Sequence, residues 1–175
     1  ASKKWGNPVG KNIAILGQGG IGISFAMIAA MQGAKSIICI DYNQFRLDYS
    51  KEFGSTHLIN ASNENVEEKI SEITNGEMAD IVIEATGSSS GLNECLDLVK
   101  KKGKIIVFGL TQDELVPINQ NKFLSKNCMI ESTLIMGTST PLKEIREMIE
   151  MKKRGILDPG KLKTHEMGWE KVQEA

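Results

Sequence analysis

Six residues near the start of the chain, Gly17-Gln18-Gly19-Gly20-Ile21-Gly22, have the types and spacing needed to hold phosphate groups. The apolar run 13–16 precedes them and a helical pattern follows. That placement gives meaning to a glycine triplet that alone would be a weak signal. Gly17 permits a tight turn, Gly19 lets the backbone approach a pyrophosphate, and Gly22 lets the helix pack close to a sheet. The phosphates then meet unpaired N–H groups and the positive end of the helix dipole.

Asp41 ends the second apolar run, nineteen residues beyond Gly22. A carboxylate there accepts hydrogen bonds from the adenosine ribose hydroxyls and repels a 2′-phosphate, so the expected cofactor is NAD rather than NADP. Arg46 follows five residues later. Its guanidinium either covers the adenine plane or is an ordinary solvated arginine. Two further turns end apolar runs. Thr86 and Gly87, within Glu84-Ala85-Thr86-Gly87, line the adenosine side of a crevice or form a plain turn. Phe108-Gly109-Leu110 is expected nearer the nicotinamide, with backbone contacts.

No residues for the chemical step are visible. Hydride transfer from an alcohol needs a base or a Lewis acid, and the sequence has no Tyr-x-x-x-Lys pair, His-Asp relay or Cys/His/Glu ligand set. His57 and His165 are the two histidines, and a lone histidine such as His165 reads as structural. Catalytic residues and metal ligands are therefore expected to lie outside this chain. Cys39, Cys95 and Cys128 are scattered and never in a Cys-x-x-Cys pair, which reads as buried free thiols rather than disulfides or a zinc site.

The elements that must position these residues follow a strand-helix rhythm. Strands are expected at 13–16, 36–41, 57–59, 80–84, 104–108 and 129–135. Helices are expected at 20–32, 44–53, 66–74, 91–99, 121–125 and 141–154. Asn43 and Asn63 or Asn65 serve as caps, and Gly33, Gly54 and Gly155 as stops. Runs that are apolar throughout suit a sheet covered on both faces, and alternation with helices implies parallel strands joined by right-handed crossovers. The fold class is α/β: a three-layer, doubly wound, parallel six-stranded Rossmann sheet in the order 3-2-1-4-5-6.

With 41% apolar and 25% charged residues and a net charge of −1, nothing steers the 175-residue chain toward nucleic acid or an anionic membrane. No apolar run approaches a membrane span. The opening Ala1-Ser2-Lys3-Lys4-Trp5-Gly6 has neither the apolar core nor the cleavage site of a secretory signal, so a cytoplasmic location is expected.

Several of these motifs together resemble the medium-chain dehydrogenases, most closely the zinc-type alcohol, polyol and threonine dehydrogenases. They are the Gly-x-Gly-Gly-Ile-Gly turn, Asp41 with Arg46, Glu84-Ala85-Thr86-Gly87, and Lys102-Gly103-Lys104-Ile105-Ile106-Val107-Phe108-Gly109. The closing Leu162-Lys163-Thr164-His165 with Glu174-Ala175 also matches. The resemblance covers essentially the whole chain. It implies a two-domain parent enzyme in which a GroES-like catalytic domain precedes this region, carries the zinc ligands, and is re-entered afterwards. Residues 1–155 are then the NAD-binding domain and 156–175 the return segment, so the chain reads as an excised domain that is inactive alone.

The resemblance also implies cofactor contacts at Gly19, Gly20, Ile21, Asp41, Arg46, Thr86, Phe108 to Leu110, and around Leu134 and Ile135. At that last strand some polyol dehydrogenases carry an arginine, whereas Leu134, Ile135 and Met136 are apolar here. It further implies a homodimer through the edge strand 129–135, which would otherwise be an exposed apolar edge. The parent's expected reaction is hydride transfer between a secondary alcohol or polyol and NAD. A stand-alone NAD-sensing regulatory module, like those of potassium-transport regulators, is the alternative. A methyltransferase-like domain fits less well, because three correctly spaced glycines suit a dinucleotide better.

Overall fold

The computed structural model describes residues 2–133 and 140–174. Two compact units separate, residues 1–137 and 138–175, and each is described by itself.

In the first unit, isoleucine-bearing runs form β1 (Asn12–Leu16), β2 (Ser36–Asp41), β3 (His57–Asn60), β4 (Ala79–Glu84), β5 (Val99–Val107) and β6 (Met129–Ser132). All pair in parallel, in the order β3-β2-β1-β4-β5-β6. The doubly wound sheet expected from the sequence is present. The central strands β1 and β2 are buried along their full length, as a sheet covered on both faces requires. β3 and β6 lie at the two edges of the sheet and are only partly buried.

Five helices cover this sheet: α1 (Gly20–Met31), α2 (Gln44–Ser50), α3 (Val66–Ile73), α4 (Gly91–Leu98) and α5 (Gln120–Lys126). On one face Phe25, Ala26 and Ala29 of α1 and Leu47 of α2 pack with Ile13, Ile15, Ile37, Cys39, Ile81 and Ile83. On the other, Ile70 of α3 and Cys95, Leu96 and Leu98 of α4 pack with Ala14, Leu16, Ile38, Ile40, Val82 and Ile105. Each fully buried isoleucine contributes about 1.5–3 kcal/mol of transfer free energy. Because the strands run parallel, the carboxyl ends of β1, β2 and β4 lie at the same end of the sheet.

Local chemistry sets the helix ends. Asn43, Asn65 and Asn119 accept backbone N–H bonds from Phe45, Glu68 and Lys122, capping α2, α3 and α5. Of the two candidate caps for α3, Asn65 is the one used. The expected 44–53 helix is α2 followed by a 3-10 turn at Lys51–Phe53, closed by Gly54 in the left-handed region at φ 89°. β5 starts earlier than expected, at Val99, and its pairing with β4 slips between Ala79 and Ile81. Lys102 there has a positive φ of 59°, so polar residues that read as a loop are extended across an irregular register.

Asp80 secures the end of the sheet opposite the carboxyl ends of β1 and β4. Its Oδ2 accepts the Asn12 N–H at 2.8 Å, and its Oδ1 pairs with Lys100 and, at 3.6 Å, with Lys11. Burial alone would raise this carboxyl's pKa, but the bonds from Lys100 and Asn12 outweigh it and hold it below its ordinary value.

The second unit contains α6 (Pro141–Lys153), which starts on a proline. It ends with Gly155 at φ 69°, where the Ile156 N–H bonds to the Met151 carbonyl and the Gly155 N–H to the Lys152 carbonyl. Its apolar residues Leu142, Ile145, Met148 and Ile149 are exposed. The tail folds into 3-10 turns at Pro159–Leu162 and Trp169–Lys171. Among the described residues no helix is long and apolar enough to cross a membrane.

Candidate functional site

The carboxyl ends of β1, β2 and β4 open onto a cleft of about 570 Å³. Its lining includes Leu16, Gly17, Gly19, Asp41, Arg46, Ala85 and Thr86, with Asn65, Val66 and Glu67 from α3 and Glu94, Asp97 and Leu98 from α4. Five of the residues singled out in the sequence thus meet in one cavity: Gly17, Gly19, Asp41, Arg46 and Thr86.

β1 enters the site through a turn that only glycine allows at two of its positions. Gly17 sits at φ 89°, and a Cβ there would lie 2.9 Å from the Ala85 carbonyl oxygen. A Cβ on Gly22 would overlap the Gly17 carbonyl oxygen, so Gly22 is the close-packing glycine that its place in the motif predicted. Gly19 and Gly20 differ from both. Apart from chain neighbours and the helix's own backbone, nothing among the described residues lies within 4 Å of a Cβ at either position, so the fold leaves open space at the start of α1. That space is where the N-terminal N–H groups of a helix receive an anion. Gly19 is the residue before α1 and has no side-chain cap, and Ile21 is exposed on the first turn.

Asp41 is buried, and its carboxylate is fixed by backbone. Its Oδ2 accepts the Gln18 N–H at 2.6 Å and its Oδ1 the Asn43 N–H at 2.8 Å. The Arg46 guanidinium stands 3.9 Å from Oδ2. The acid expected to hold a ribose and the turn expected to hold phosphates are therefore bonded to each other.

Two residues with no role assigned from sequence organise the site. Gln18 is fully buried; its Nε2 donates to the Ile15 carbonyl at 3.1 Å, pinning the turn to β1, and its Oε1 has no partner among the described residues. Glu84, buried at the end of β4, accepts on Oε1 from the Thr86 N–H at 2.8 Å, the Gly87 N–H at 3.0 Å and the Thr86 hydroxyl. A strand-ending acid followed at two and three residues by Thr-Gly is the signal that could have revealed this role.

Glu84 also links the β4 and β5 turns. Its backbone carbonyl accepts from the Phe108 and Gly109 N–H groups at 2.9 and 3.1 Å. Gly87, at φ 72°, packs so closely that a Cβ would lie 2.7 Å from the Leu110 carbonyl oxygen. Phe108 turns its ring into the core against Phe25, with centroids 5.6 Å apart, while Leu110 is exposed. Gly87, Phe108, Gly109 and Leu110 thus form a second cluster beside the cleft rather than part of its lining. Leu134 and Ile135 lie outside the described residues.

Catalytic groups are sparse. No group of three or more His, Cys, Asp or Glu residues suited to a metal occurs among the described residues. Burial pushes the Cys39 thiol up to about 12 and likewise raises Cys95 and Cys128. All three are free and buried, which makes them poor nucleophiles.

Comparison with known proteins adds independent findings. The family described as zinc-binding dehydrogenase matches residues 20–154. Sorbitol dehydrogenase of Bacillus subtilis is 31% identical over 166 residues, 95% of this chain and 46% of that protein. L-threonine 3-dehydrogenase of Aliivibrio fischeri is 32% identical over 123 residues, 70% of this chain and 36% of that protein. The chain therefore spans less than half the length of these curated relatives. Benzyl alcohol dehydrogenase of Acinetobacter calcoaceticus superposes with a TM-score of 0.82 at 27% identity, over 89% of this chain and 43% of that one. An alcohol dehydrogenase of Thermus sp. ATN1 shares the fold, with a TM-score of 0.88 at 24% identity over 98% of this chain and 48% of that one.

Proposed function

Since this chain belongs to the zinc-binding dehydrogenase family, we propose that it is the NAD-binding domain of an alcohol or polyol dehydrogenase. One observation carries the reading: the buried Asp41 carboxylate, bonded to the Gln18 N–H at 2.6 Å, shares a cleft with the open helix start at Gly19. The pyrophosphate would sit at Gly19, Gly20 and Ile21, on the first N–H groups of α1. The adenosine ribose would meet Asp41, with Arg46 and Thr86 on either side. Gly87, Phe108, Gly109 and Leu110 would border the nicotinamide, and Gly17 and Gly22 shape the turn.

Bound NAD supplies the hydride acceptor. This chain's residues bind and orient it: Asp41 favours free ribose hydroxyls over a 2′-phosphate, and the β5 turn walls the nicotinamide side. Zinc, which the family name implies, finds no ligand set among the described residues.

In the parent enzyme a secondary alcohol or polyol would be the hydride donor. The similarity to sorbitol and threonine dehydrogenases supports that substrate class. Residues 156–175 would return toward a GroES-like catalytic domain, leaving this chain inactive alone. Free buried thiols support a cytoplasmic setting. Pairing of the partly buried β6 edge, where Met129 is exposed, with its symmetry mate would give a homodimer. Sedimentation showing only monomer at micromolar concentration would count against that assembly. Membership of the family disfavours the stand-alone NAD-sensing module.

Calorimetric titration of NAD into the chain tests the central reading. Saturable one-site binding is expected, and a folded chain that binds neither NAD nor AMP overturns it.

A further inference from the structure

The buried Glu84 carboxylate lies between the two turns proposed above to border the two halves of NAD, and its role as inferred here rests on that placement. Three elements close around it, each through a glycine. Its Oε1 accepts the Thr86 and Gly87 N–H groups and the Thr86 hydroxyl. α4 begins at Gly91, where a Cβ would lie 2.8 Å from the same oxygen. Oε2 meets the β5 turn: a Cβ on Gly109 would lie 2.3 Å from it and 2.3 Å from the Gly87 nitrogen. Between the two turns there is room for this carboxylate and nothing larger.

The same bonds commit Thr86. Its hydroxyl donates to Glu84 and accepts the Ser88 N–H at 2.9 Å. Its Cγ2 stands 3.1 Å from where a Cβ on Gly17 would lie, so Thr86 meets the glycine turn with its methyl while its hydroxyl holds the acid. On the other side, the Phe108 and Gly109 N–H groups bond to the Glu84 carbonyl. Glu84 is thus joined to the phosphate turn through Thr86 and to the nicotinamide-side turn directly, yet it is not among the residues that line the cleft. A dinucleotide must satisfy both turns at once, so its affinity depends on the offset between them. A mononucleotide engages one turn and is indifferent to that offset.

We propose that Glu84 is a positioning residue for the dinucleotide: it sets the offset between the adenosine-side and nicotinamide-side turns without touching either nucleotide.

Calorimetric titration of NAD and of AMP into the chain, and into Glu84→Gln and Gly109→Ala variants, tests the assignment. NAD is expected to bind the unaltered chain about tenfold more tightly than AMP, because only NAD reaches the β5 turn. In Glu84→Gln the amide oxygen still accepts from Thr86 and Gly87, but an amide donor replaces Oε2 beside the Gly87 N–H. In Gly109→Ala the added methyl enters the same contact, and both Glu84 oxygens remain. Each variant is expected to bind NAD about fivefold to tenfold more weakly and AMP within about twofold of the unaltered chain. Both should melt somewhat lower, so the ratio of the two affinities is the readout. A domain that was merely loosened would lose both ligands alike. Equal weakening of NAD and AMP in folded variants, or unchanged NAD binding, overturns the assignment and leaves the NAD reading intact. Equal binding of NAD and AMP by the unaltered chain does the same, and that result needs no variant to fold. A chain that binds neither ligand overturns both readings.

Discussion

The Gln18 backbone N–H donates to Asp41 Oδ2 at 2.6 Å, so the turn after β1 and the acid ending β2 form one rigid unit. Any change at Asp41 therefore acts on ligand choice and on the turn together. NAD should raise the melting temperature of the chain more than NADP does. Asp41→Ala should narrow that difference and also cost about 1–3 kcal/mol of stability, because the buried Gln18 N–H loses its acceptor. Thermal scans with each dinucleotide measure both effects, and equal protection of the unaltered chain would remove the role given to Asp41.

The glycines of the turn should separate into two classes. Gly22→Ala drives a methyl group into the Gly17 carbonyl and should destabilise by about 1–3 kcal/mol. Gly19→Ala and Gly20→Ala meet no packed neighbour among the described residues and should melt close to the parent chain. The methyl would instead occupy the phosphate seat, so AMP and NAD affinity should fall about tenfold or more. Chemical denaturation paired with calorimetry distinguishes the classes; a Gly19→Ala chain that binds normally would displace the phosphates from this turn.

Acid should loosen the end of the sheet secured by Asp80. Its folded pKa lies below its ordinary value, so its stabilisation is present above the unfolded carboxyl pKa of about 3.9. It is lost as pH falls through the lower folded value. Asp80→Asn should cost about 1–2 kcal/mol at neutral pH and flatten stability against pH in the acid range. AMP affinity at neutral pH should be unchanged. Urea titrations between pH 3 and pH 7 would show it, and an unaltered acid slope in the variant would contradict the assignment.

Thiol labelling reports on the two faces of the sheet. Burial pushes Cys39 up to about 12 and raises Cys95 well above its ordinary value, so neither should react with Ellman's reagent at pH 8 in the folded chain. Cys128 is slightly exposed, and its pKa is also raised by burial, so it should react slowly if at all. In denaturant all three should react. Rapid native labelling of Cys39 would mean that the α1–α2 face opens far more readily than its packing implies.

Much of the site was legible because its chemistry is local. A glycine triplet between a strand and a helix, and an acid ending the next strand, have little freedom in what they can form. The roles of Gln18 and Glu84 were not legible, because each depends on which backbone groups tertiary packing brings within reach. Gln18 reads as a filler position until its side chain is seen bonded to the Ile15 carbonyl. Glu84 reads as a strand end until Thr86 and Gly87 turn back onto it. Glu67 lies 26 residues beyond Asp41 in sequence, and only the packing of α3 over the sheet places it on the same cleft.

By itself the sequence determined the order of strands and helices, the parallel doubly wound sheet, the glycine turn after β1 and the acid that ends β2. Those follow from hydrophobic period, capping chemistry and the conformational freedom of glycine, all short-range in the chain. Tertiary structure decided that Asp41 is held by Gln18 and Asn43, that Gly19 and Gly20 face open space while Gly22 faces the Gly17 carbonyl, and that the start of α3 lines the same cleft. Those depend on the register of β1 against β2 and β4, which long-range packing sets and no local pattern encodes.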